Sequence, residues 1–269
     1  MRPFNAGDSE YTRSIAIDAS TIDGITVTTA ILSERDDELS VLDSIYEAAE
    51  GHEFRPFQDK SHRLDYEDSI GFFETVTNQN KDRVIATSHL GQDGSNPERV
   101  EAVQSAVLVN ELAVDDTLVI LDGAADKADR FGRAYYGISE DVPPVVTCIQ
   151  SEYYYPASLL ADVSANHLAR QIDHPRHCSA VEPEAPQTKE DFNDRWGSAY
   201  NSLFSNSNPV EVEPIKQRRA ESVASRVNCW YRGWMGGGEP DEFNRSLRPV
   251  AEYARRQGYD ELASRLLEI

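Results

Sequence analysis

The sequence lacks the features that mark secreted, zinc-binding or membrane-spanning proteins. Its three cysteines are far apart, without the spacing of a zinc site or a disulfide framework. No stretch approaches the roughly 18 apolar residues of a membrane helix, and the first residues lack the apolar core of a signal peptide. We therefore expect a cytoplasmic protein with reduced thiols and no membrane partner. Three histidines and one cysteine lie near one another in sequence but match no standard zinc pattern. We expect a solvated helix end there in preference to a zinc site; the residues are His167, His174, His177 and Cys178.

Positive charge is scarce, and lysine is scarcer than arginine. The chain has 47 Asp and Glu against 26 Lys and Arg, for a formal net charge of -21, and five of its basic residues are lysines. Acidic excess with few lysines is typical of salt-adapted proteomes, so we predict an origin in a halophilic archaeon. A disordered acidic chain is disfavoured, because 39% of the residues are hydrophobic and 9% are aromatic. At molar salt the Debye length is about 3 Å, so this charge neither supports nor excludes a nucleic-acid partner.

Apolar runs and turn signals predict an α/β fold. Two β-branched runs around Asp23 and Gly24 indicate a hairpin. Apolar residues at helical spacing alternate with further short apolar runs along the chain, which favours a sheet flanked by helices. The predicted strands are 14–19, 24–32, 83–90, 117–121 and 143–149, and the predicted helices of this part are 38–50, one after an N-cap at Asp65, 98–112 and 156–171.

The composition changes after residue 175. We predict a main domain over 1–175, a proline-rich linker or surface excursion over 176–210, and a helical C-terminal extension over 211–269. The segment 218–234 is rich in arginine and tryptophan. It could bind nucleic acid or cover the main domain, and aromatic residues at near-helical spacing favour packing.

Acidic residues at strand ends are the main chemical signal. Asp18 lies near the end of an apolar strand and Asp122 directly follows one, and a carboxylate there is costly to bury unless it is paired, hydrogen-bonded or metal-bound. Glu152 and Asp162 follow the last predicted strand, in an aromatic turn and the helix after it. Carboxylate oxygens suit hard cations such as magnesium, and two such ions can promote phosphodiester hydrolysis.

The order of these elements resembles the ribonuclease H fold, and residues 14–171 are similar to type 2 ribonuclease H. The matching segments are IAIDAST, DKSHRL at Asp59–Leu64, PERVEAVQSAVLVNEL, VILDG, and Glu152–Asn166. The resemblance implies a ribonuclease H-like mixed sheet flanked by helices, magnesium or manganese as cofactor and nucleic acid as partner. A protein partner is also compatible with it.

The sequence departs from that family at several positions. The family places a glutamate after its first aspartate, followed by a glycine-rich loop that grips the ribose, whereas Ala19 and two hydroxyl residues follow Asp18 here. Glu152 replaces an aspartate, and Asn166 replaces a lysine. Cleavage specific for RNA–DNA junctions is therefore not expected. Leu160-Ala161-Asp162 resembles the last acidic position of wider families with this fold.

The resemblance implies roles for individual residues. Asp18, Asp122 and Asp162 would hold the metal and carry catalysis, with Glu152 as a fourth catalytic carboxylate, and the residues expected to contact substrate are Lys60, His62, Arg63 and Tyr153. The simpler alternatives are a solvent-facing Asp162, a solvated basic loop and aromatic packing around Pro156. Two functions follow: a metal-dependent nuclease acting on RNA, RNA/DNA hybrid or DNA, and a catalytically degenerate module that binds nucleic acid or a protein.

Overall fold

The computed structural model describes a five-stranded sheet with helices on both faces. Its strands are β1 (Arg13–Ile22), β2 (Ile25–Glu34), β3 (Val84–Leu90), β4 (Thr117–Asp122) and β5 (Val145–Cys148), in the order β3-β2-β1-β4-β5. The residues described are 12–34, 37–52, 54, 56, 60–90, 96–112, 116–148, 151–153, 155–173, 197–199, 201–204, 248 and 251–267.

A tight hairpin joins the first two strands. Asp23 and Gly24 have φ angles of 48° and 83°, so both turn residues lie in the left-handed region that the right-handed twist of a two-residue hairpin requires. Antiparallel pairing starts at Ile22 and Ile25 beside this turn and continues along both strands. The predicted hairpin is confirmed.

The register of β1 against β4 decides where the acidic residues lie. The parallel pairs run from Arg13 with Thr117 to Ile17 with Leu121, so Asp18 and Asp122 follow side by side. The prediction that Asp18 ends its strand is wrong, because β1 continues to Ile22. Its last residues are bonded to β2 alone, beyond the point where β4 ends. The predicted meeting of the two aspartates does not depend on that boundary.

Six helices have defined bounds in the described part of the chain. They are α1 (Glu38–Ala49), α2 (Tyr66–Gln79), α3 (Pro97–Leu112), α4 (Ala125–Tyr136), α5 (Pro156–Asp173) and α6 (Asp260–Arg265). None of the helices described is long and apolar enough to cross a membrane. The predicted α/β class, a mixed sheet flanked by helices, is confirmed.

Alternating residues divide the core into two layers. Ala16 and Ile120 belong to the cluster beneath α1, α2 and α5, whereas Ile15, Ile17 and Val119 belong to the cluster beneath α3 and α4. Since successive side chains of a strand point to opposite faces, Asp18 and Asp122 fall on the α5 face of the sheet. This parity directs both carboxylates toward the same helix.

The described residues near the C-terminus pack onto α1. Ala251, Leu262 and Leu266 are fully buried in the same cluster as α1, α2 and α5. Arg265 adds ion pairs to Asp43 and Glu50, at 3.6 and 3.1 Å. The division into 1–175, 176–210 and 211–269 remains a prediction, and the arginine- and tryptophan-rich segment lies outside the described residues.

Asp65 caps α2, as its sequence position predicts, and its removal should cost stability. Its side chain accepts hydrogen bonds from the backbone N–H groups of Glu67 and Asp68, at 3.1 and 3.4 Å. We expect Asp65→Ala to lower the free energy of unfolding by about 1 kcal/mol in chemical denaturation. Asp65→Asn, which can still accept both bonds, should lose much less. Equal losses in the two variants would contradict this role.

Candidate active site

Asp122 is fixed where β4 gives way to a loop. The N–H of Ser151 donates a hydrogen bond of 2.9 Å to its Oδ1 atom. Ser151 starts a short 3-10 turn, Ser151–Tyr153, that follows β5 and leads to α5. The turn that follows β5, the strand next to β4 in the sheet order, thus supplies the donor that holds the carboxylate of Asp122.

Helix α5 carries Asp162 to the same place. The helix begins at Pro156, so Asp162 lies nearly two turns inside it, as predicted. The N–H of Ser61 donates a hydrogen bond of 3.1 Å to Oδ2 of Asp162, and the Ser61 hydroxyl donates one of 3.3 Å to its backbone carbonyl. On the sheet side, Thr29 Oγ1 donates to the carbonyl of Ala161 at 3.1 Å. Asp162 is therefore partly buried between the sheet and the turn Ser61–Arg63.

The aspartates are electrostatically coupled. Burial raises the pKa of Asp18 well above its ordinary value, and the negative charges of Asp162 and Asp122 raise it further, against the opposing attraction of Lys127. Burial also raises the pKa of Asp162 to about 6, although hydrogen bonds from Ser61 lower it. Burial is therefore the main cause of both shifts, and neighbouring negative charge adds to it.

Two lysines offset part of that charge. Lys60 Nζ lies 2.6 Å from Oε1 of Glu152, whose side chain is almost completely buried. Glu152 raises the pKa of Asp162 and Lys60 lowers it, so this ion pair belongs to the same electrostatic environment. On the other side, Lys127 Nζ lies 2.6 Å from Oε1 of Glu101, and its ammonium group attracts Asp18.

The structure brings most of the predicted site residues into one region. Asp18, Asp122, Asp162 and Glu152 share it, and Lys60 joins them through its ion pair. His62 is exposed on the adjoining turn. The side chains of Arg63 and Tyr153 lie outside the described residues, although their backbones belong to the two 3-10 turns. The roles assigned to all these residues remain predictions.

Asp126 and Asp129, the acidic residues that follow Asp122 in sequence, form ion pairs along the outer side of α4. Asp126 pairs with Arg130 at 2.9 Å, and Asp129 pairs with Arg133 at 3.0 Å, each one helical turn along α4. Their spacing after Asp122 puts both on one helical face and predicts surface residues, with a lesser chance that Asp126 approaches the site, and the two ion pairs agree with the surface prediction. Asp126 is largely exposed, with 65% side-chain accessibility, so it offers a control for changes at Asp122.

Sequence reasoning missed Lys127, Glu101 and the two serine N–H donors. Because any non-proline residue has a backbone N–H group, nothing in the sequence identified Ser61 or Ser151 as hydrogen-bond donors to the carboxylates. Lys127 did have a signal: the chain has five lysines, and this one follows the predicted strand-end Asp122 by five residues. In an arginine-rich chain, a lysine so close to an acidic strand end is a candidate site residue.

The carboxylates of the site are suitable ligands for a hard divalent cation, but their present arrangement does not form a metal-binding group. Carboxylate oxygens are the preferred ligands of magnesium and manganese, and Asp18 and Asp162 are carboxyl groups whose pKa is raised first by burial and then by neighbouring negative charge. In the described part of the chain, however, no three or more His, Cys, Asp or Glu side chains are grouped so as to hold a metal ion. Metal binding would require the carboxylates to move closer together.

The proposed zinc alternative gains no support from its one described member. His167 is fully buried, and its Nδ1 atom lies 2.9 Å from the hydroxyl of Tyr66. Its ring also stacks on Phe73, with centroids 6.1 Å apart. The expected solvated position is wrong for His167, because α5 turns this residue toward α2. His174, His177 and Cys178 lie outside the described residues.

Asp162→Asn should stabilise the metal-free protein at neutral pH. The folded-state pKa of about 6 exceeds the ordinary value of 3.8, so the contribution of this carboxyl is fully favourable below about pH 4 and is lost as pH rises through 6. The gain should be about 1 to 3 kcal/mol, since one pKa unit corresponds to about 1.4 kcal/mol. Chemical denaturation in the presence of a chelator measures the free energy of unfolding of the wild-type protein, Asp162→Asn and the control Asp126→Asn. Lower stability of Asp162→Asn at neutral pH would contradict the electrostatic account.

Comparisons with known proteins return structural neighbours alone. No protein-family model matches the chain, and no curated protein matches it significantly. One similar structure is Bst-RNase HIII in complex with Mn2+, with 12% identity, a TM-score of 0.43, and coverage of 74% of this chain and 67% of that chain. Two others are RNase HII from Archaeoglobus fulgidus in its PCNA complex and ribonuclease H2 from Pyrococcus horikoshii OT3. The first is 13% identical with a TM-score of 0.41, and the match covers 64% of this chain and 82% of that chain. The second is 14% identical with a TM-score of 0.44, and the match covers 82% of this chain and 99% of that chain. At these TM-scores the likeness carries no conclusion about activity.

Proposed function

We propose that the protein is a metal-dependent nuclease of ribonuclease H-like fold that hydrolyses phosphodiester bonds in RNA, RNA/DNA hybrid or DNA. The observation that carries the proposal is that Asp18 and Asp122 lie side by side where β1 and β4 separate, and that Asp162 on α5 interacts electrostatically with Asp18. Three elements carry these carboxylates. Burial raises the pKa of Asp18 and of Asp162, and repulsion adds to the rise, from Asp162 and Asp122 at Asp18 and from Glu152 at Asp162. An arrangement that costs stability without a cation is typical of a site kept for function.

The proposed roles follow from where each side chain is held. Asp18 and Asp122 would bind magnesium or manganese from adjacent strands, and Asp162 would bind it from α5. The metal would polarise the phosphodiester and activate water for in-line attack. The N–H groups of Ser61 and Ser151 hold the carboxylates of Asp162 and Asp122 in the metal-free protein, and these hydrogen bonds would have to adjust as the carboxylates close on an ion.

Lys60 and Glu152 have linked roles in this proposal. Their ion pair keeps a buried carboxylate neutralised in the absence of a cation. Were Glu152 to serve as the fourth ligand, Lys60 would be released from its ion pair and could contact a phosphate oxygen of the substrate. His62 is exposed next to it and lies where a nucleic-acid backbone would approach. Arg63 and Tyr153 complete the proposed substrate contacts.

The cellular setting belongs to the same proposal. The acidic, lysine-poor composition supports a cytoplasmic protein of a halophilic archaeon. Molar salt would screen the repulsion between a surface of net charge -21 and a polyanionic substrate. Binding and cleavage assays are therefore best made at high salt.

A second function is favoured by the same ion pair. Because Lys60 neutralises Glu152 and no metal-holding group is formed among the residues described, a degenerate module that binds nucleic acid or a protein without cleaving is the alternative. Binding of RNA or DNA without metal, with no cleavage after manganese is added, would favour that alternative over the nuclease.

The nuclease proposal predicts that Asp122→Asn abolishes cleavage. We expect purified wild-type protein to cut labelled RNA, hybrid or DNA when magnesium or manganese is added. The variant should lose activity by a factor on the order of 1,000, because metal-based charge stabilisation is worth several kcal/mol.

The matched control is Asp126→Asn, which removes one negative charge from an exposed position four residues away. This variant should keep wild-type activity. Cleavage that needs no metal, or that survives Asp122→Asn, would count against the proposal and point to a contaminating nuclease.

A further inference from the structure

Arg170 lies about two turns beyond Asp162 on α5, and its guanidinium group is held in place by two neighbours. Its Nε–H donates a hydrogen bond of 2.9 Å to Oδ1 of Asn166, one turn earlier in the helix. Its guanidinium carbon lies over the ring of Tyr66, 5.0 Å from the centroid. The hydrogen bond and the cation–π contact together fix the direction and the plane of the group. Arg170 is only partly buried, so a ligand can reach it.

The terminal nitrogens of Arg170 have no acceptor within the described part of the chain. Arginine has five N–H donors, and the bond to Asn166 uses the one at Nε. Six other described arginines each have a carboxylate partner; they are Arg13, Arg83, Arg130, Arg133, Arg255 and Arg265. An arginine without such a partner among the described residues is therefore unusual in a chain of net charge -21.

The guanidinium group is directed toward the carboxylates along the surface of α5. Asp162, Asn166 and Arg170 are spaced four residues apart, so they form one ridge of the helix. Because Nε is bonded to Asn166, the group lies near the level of that residue, roughly 6 Å along the helix axis from Asp162. The segment Ser61–Tyr66 follows the same ridge, since Ser61 contacts Asp162 and Tyr66 contacts Arg170. A polymer that passes the carboxylates along this ridge would meet the guanidinium group.

We propose that Arg170 binds a backbone phosphate of nucleic acid, one or two nucleotides from the phosphodiester at the carboxylates. The inference rests on the proposed function, because it takes nucleic acid as the ligand of this region. A planar guanidinium group can bind a phosphate through two parallel hydrogen bonds. The phosphates of one strand are about 3.4 Å apart along a duplex axis, so a separation of roughly 6 Å corresponds to one or two nucleotides. Such a contact positions the strand without reading its sequence.

Binding of labelled nucleic acid without metal tests this inference apart from cleavage. Fluorescence anisotropy, with a chelator present, gives the affinity of the full-length protein for RNA, DNA and RNA/DNA hybrid over a range of potassium chloride concentrations. Arg170→Met keeps an apolar stem over Tyr66 and removes the charge. We expect this variant to bind several-fold more weakly. The slope of log affinity against log salt should fall in magnitude by about 1, because one phosphate contact is lost.

Two further variants separate this contact from general effects of charge and folding. Arg13→Gln removes a positive charge at the start of β1, about 17 Å along the strand from Asp18, and should match wild-type protein in affinity and slope. Arg170→Lys keeps a cation but loses the planar pair of donors, so it should bind several-fold more weakly than wild type. It replaces Arg170→Met as the test if circular dichroism shows that Arg170→Met does not fold.

The outcomes separate this inference from the proposed function. Wild-type affinity in the Arg170 variants, or an equal loss in Arg13→Gln, would overturn the inference and leave the nuclease proposal to the cleavage assay. A weaker Arg170→Met with an unchanged salt slope would also overturn it, because Arg170 would then support the site without contacting phosphate. No binding of any probe by wild-type protein would overturn it as well. A loss confined to Arg170, with the smaller slope, supports the phosphate contact whether or not cleavage is found.

Discussion

Repulsion between carboxylates at the edge where β1 and β4 separate is the constraint that the surrounding structure must satisfy. The register of two parallel strands sets Asp18 beside Asp122, and α5 lays Asp162 over them. Asp18 and Asp162 would be more easily ionised in water than here, because burial raises the pKa of both carboxyl groups. The site persists because backbone N–H donors, two lysines and the packing of α5 oppose the repulsion.

Helix α5 is one of the elements that hold Asp162 in place against this repulsion. It is held to the segment around the start of α2 at two levels: Ser61 contacts Asp162, and Tyr66 contacts His167. Residues of α5 near these contacts, such as Leu160 and Val163, are fully buried. Apolar burial of this kind contributes roughly 1.5–3 kcal/mol for each large side chain, so a packed helix can hold a carboxylate where its charge is unfavourable. The unfavourable free energy of burying these carboxylates is offset by apolar packing elsewhere in the domain.

The sequence predicts the architecture better than the electrostatics. Apolar runs and the Asp23-Gly24 turn predict the five strands, because burial and backbone conformation act on neighbouring residues. The end of β1 is misplaced, because its pairing with β2 continues beyond β4 and no local signal marks that difference. Asp65 and Pro156 are correctly assigned to helix starts from side-chain chemistry alone.

The neighbours of the carboxylates depend on tertiary contacts and are harder to predict. The ion pair of Lys60 with Glu152 joins residues 92 positions apart, and no sequence spacing relates them. Ser61 and Ser151 contribute backbone groups that every non-proline residue possesses. His167 is expected in solvent from its polar surroundings in sequence, yet α5 is buried along this side. Composition alone points to Lys127, through the scarcity of lysine.

The central claim is that these carboxylates form a divalent metal site rather than an ion-paired remnant. Diffraction from a crystal soaked in manganese, measured at the manganese absorption edge, tests it most directly. The account predicts an anomalous peak between the carboxylates of Asp18, Asp122 and Asp162, with Lys127 still beside Glu101. Absence of a peak there, with Lys60 still bound to Glu152 and the three aspartates apart, would contradict it.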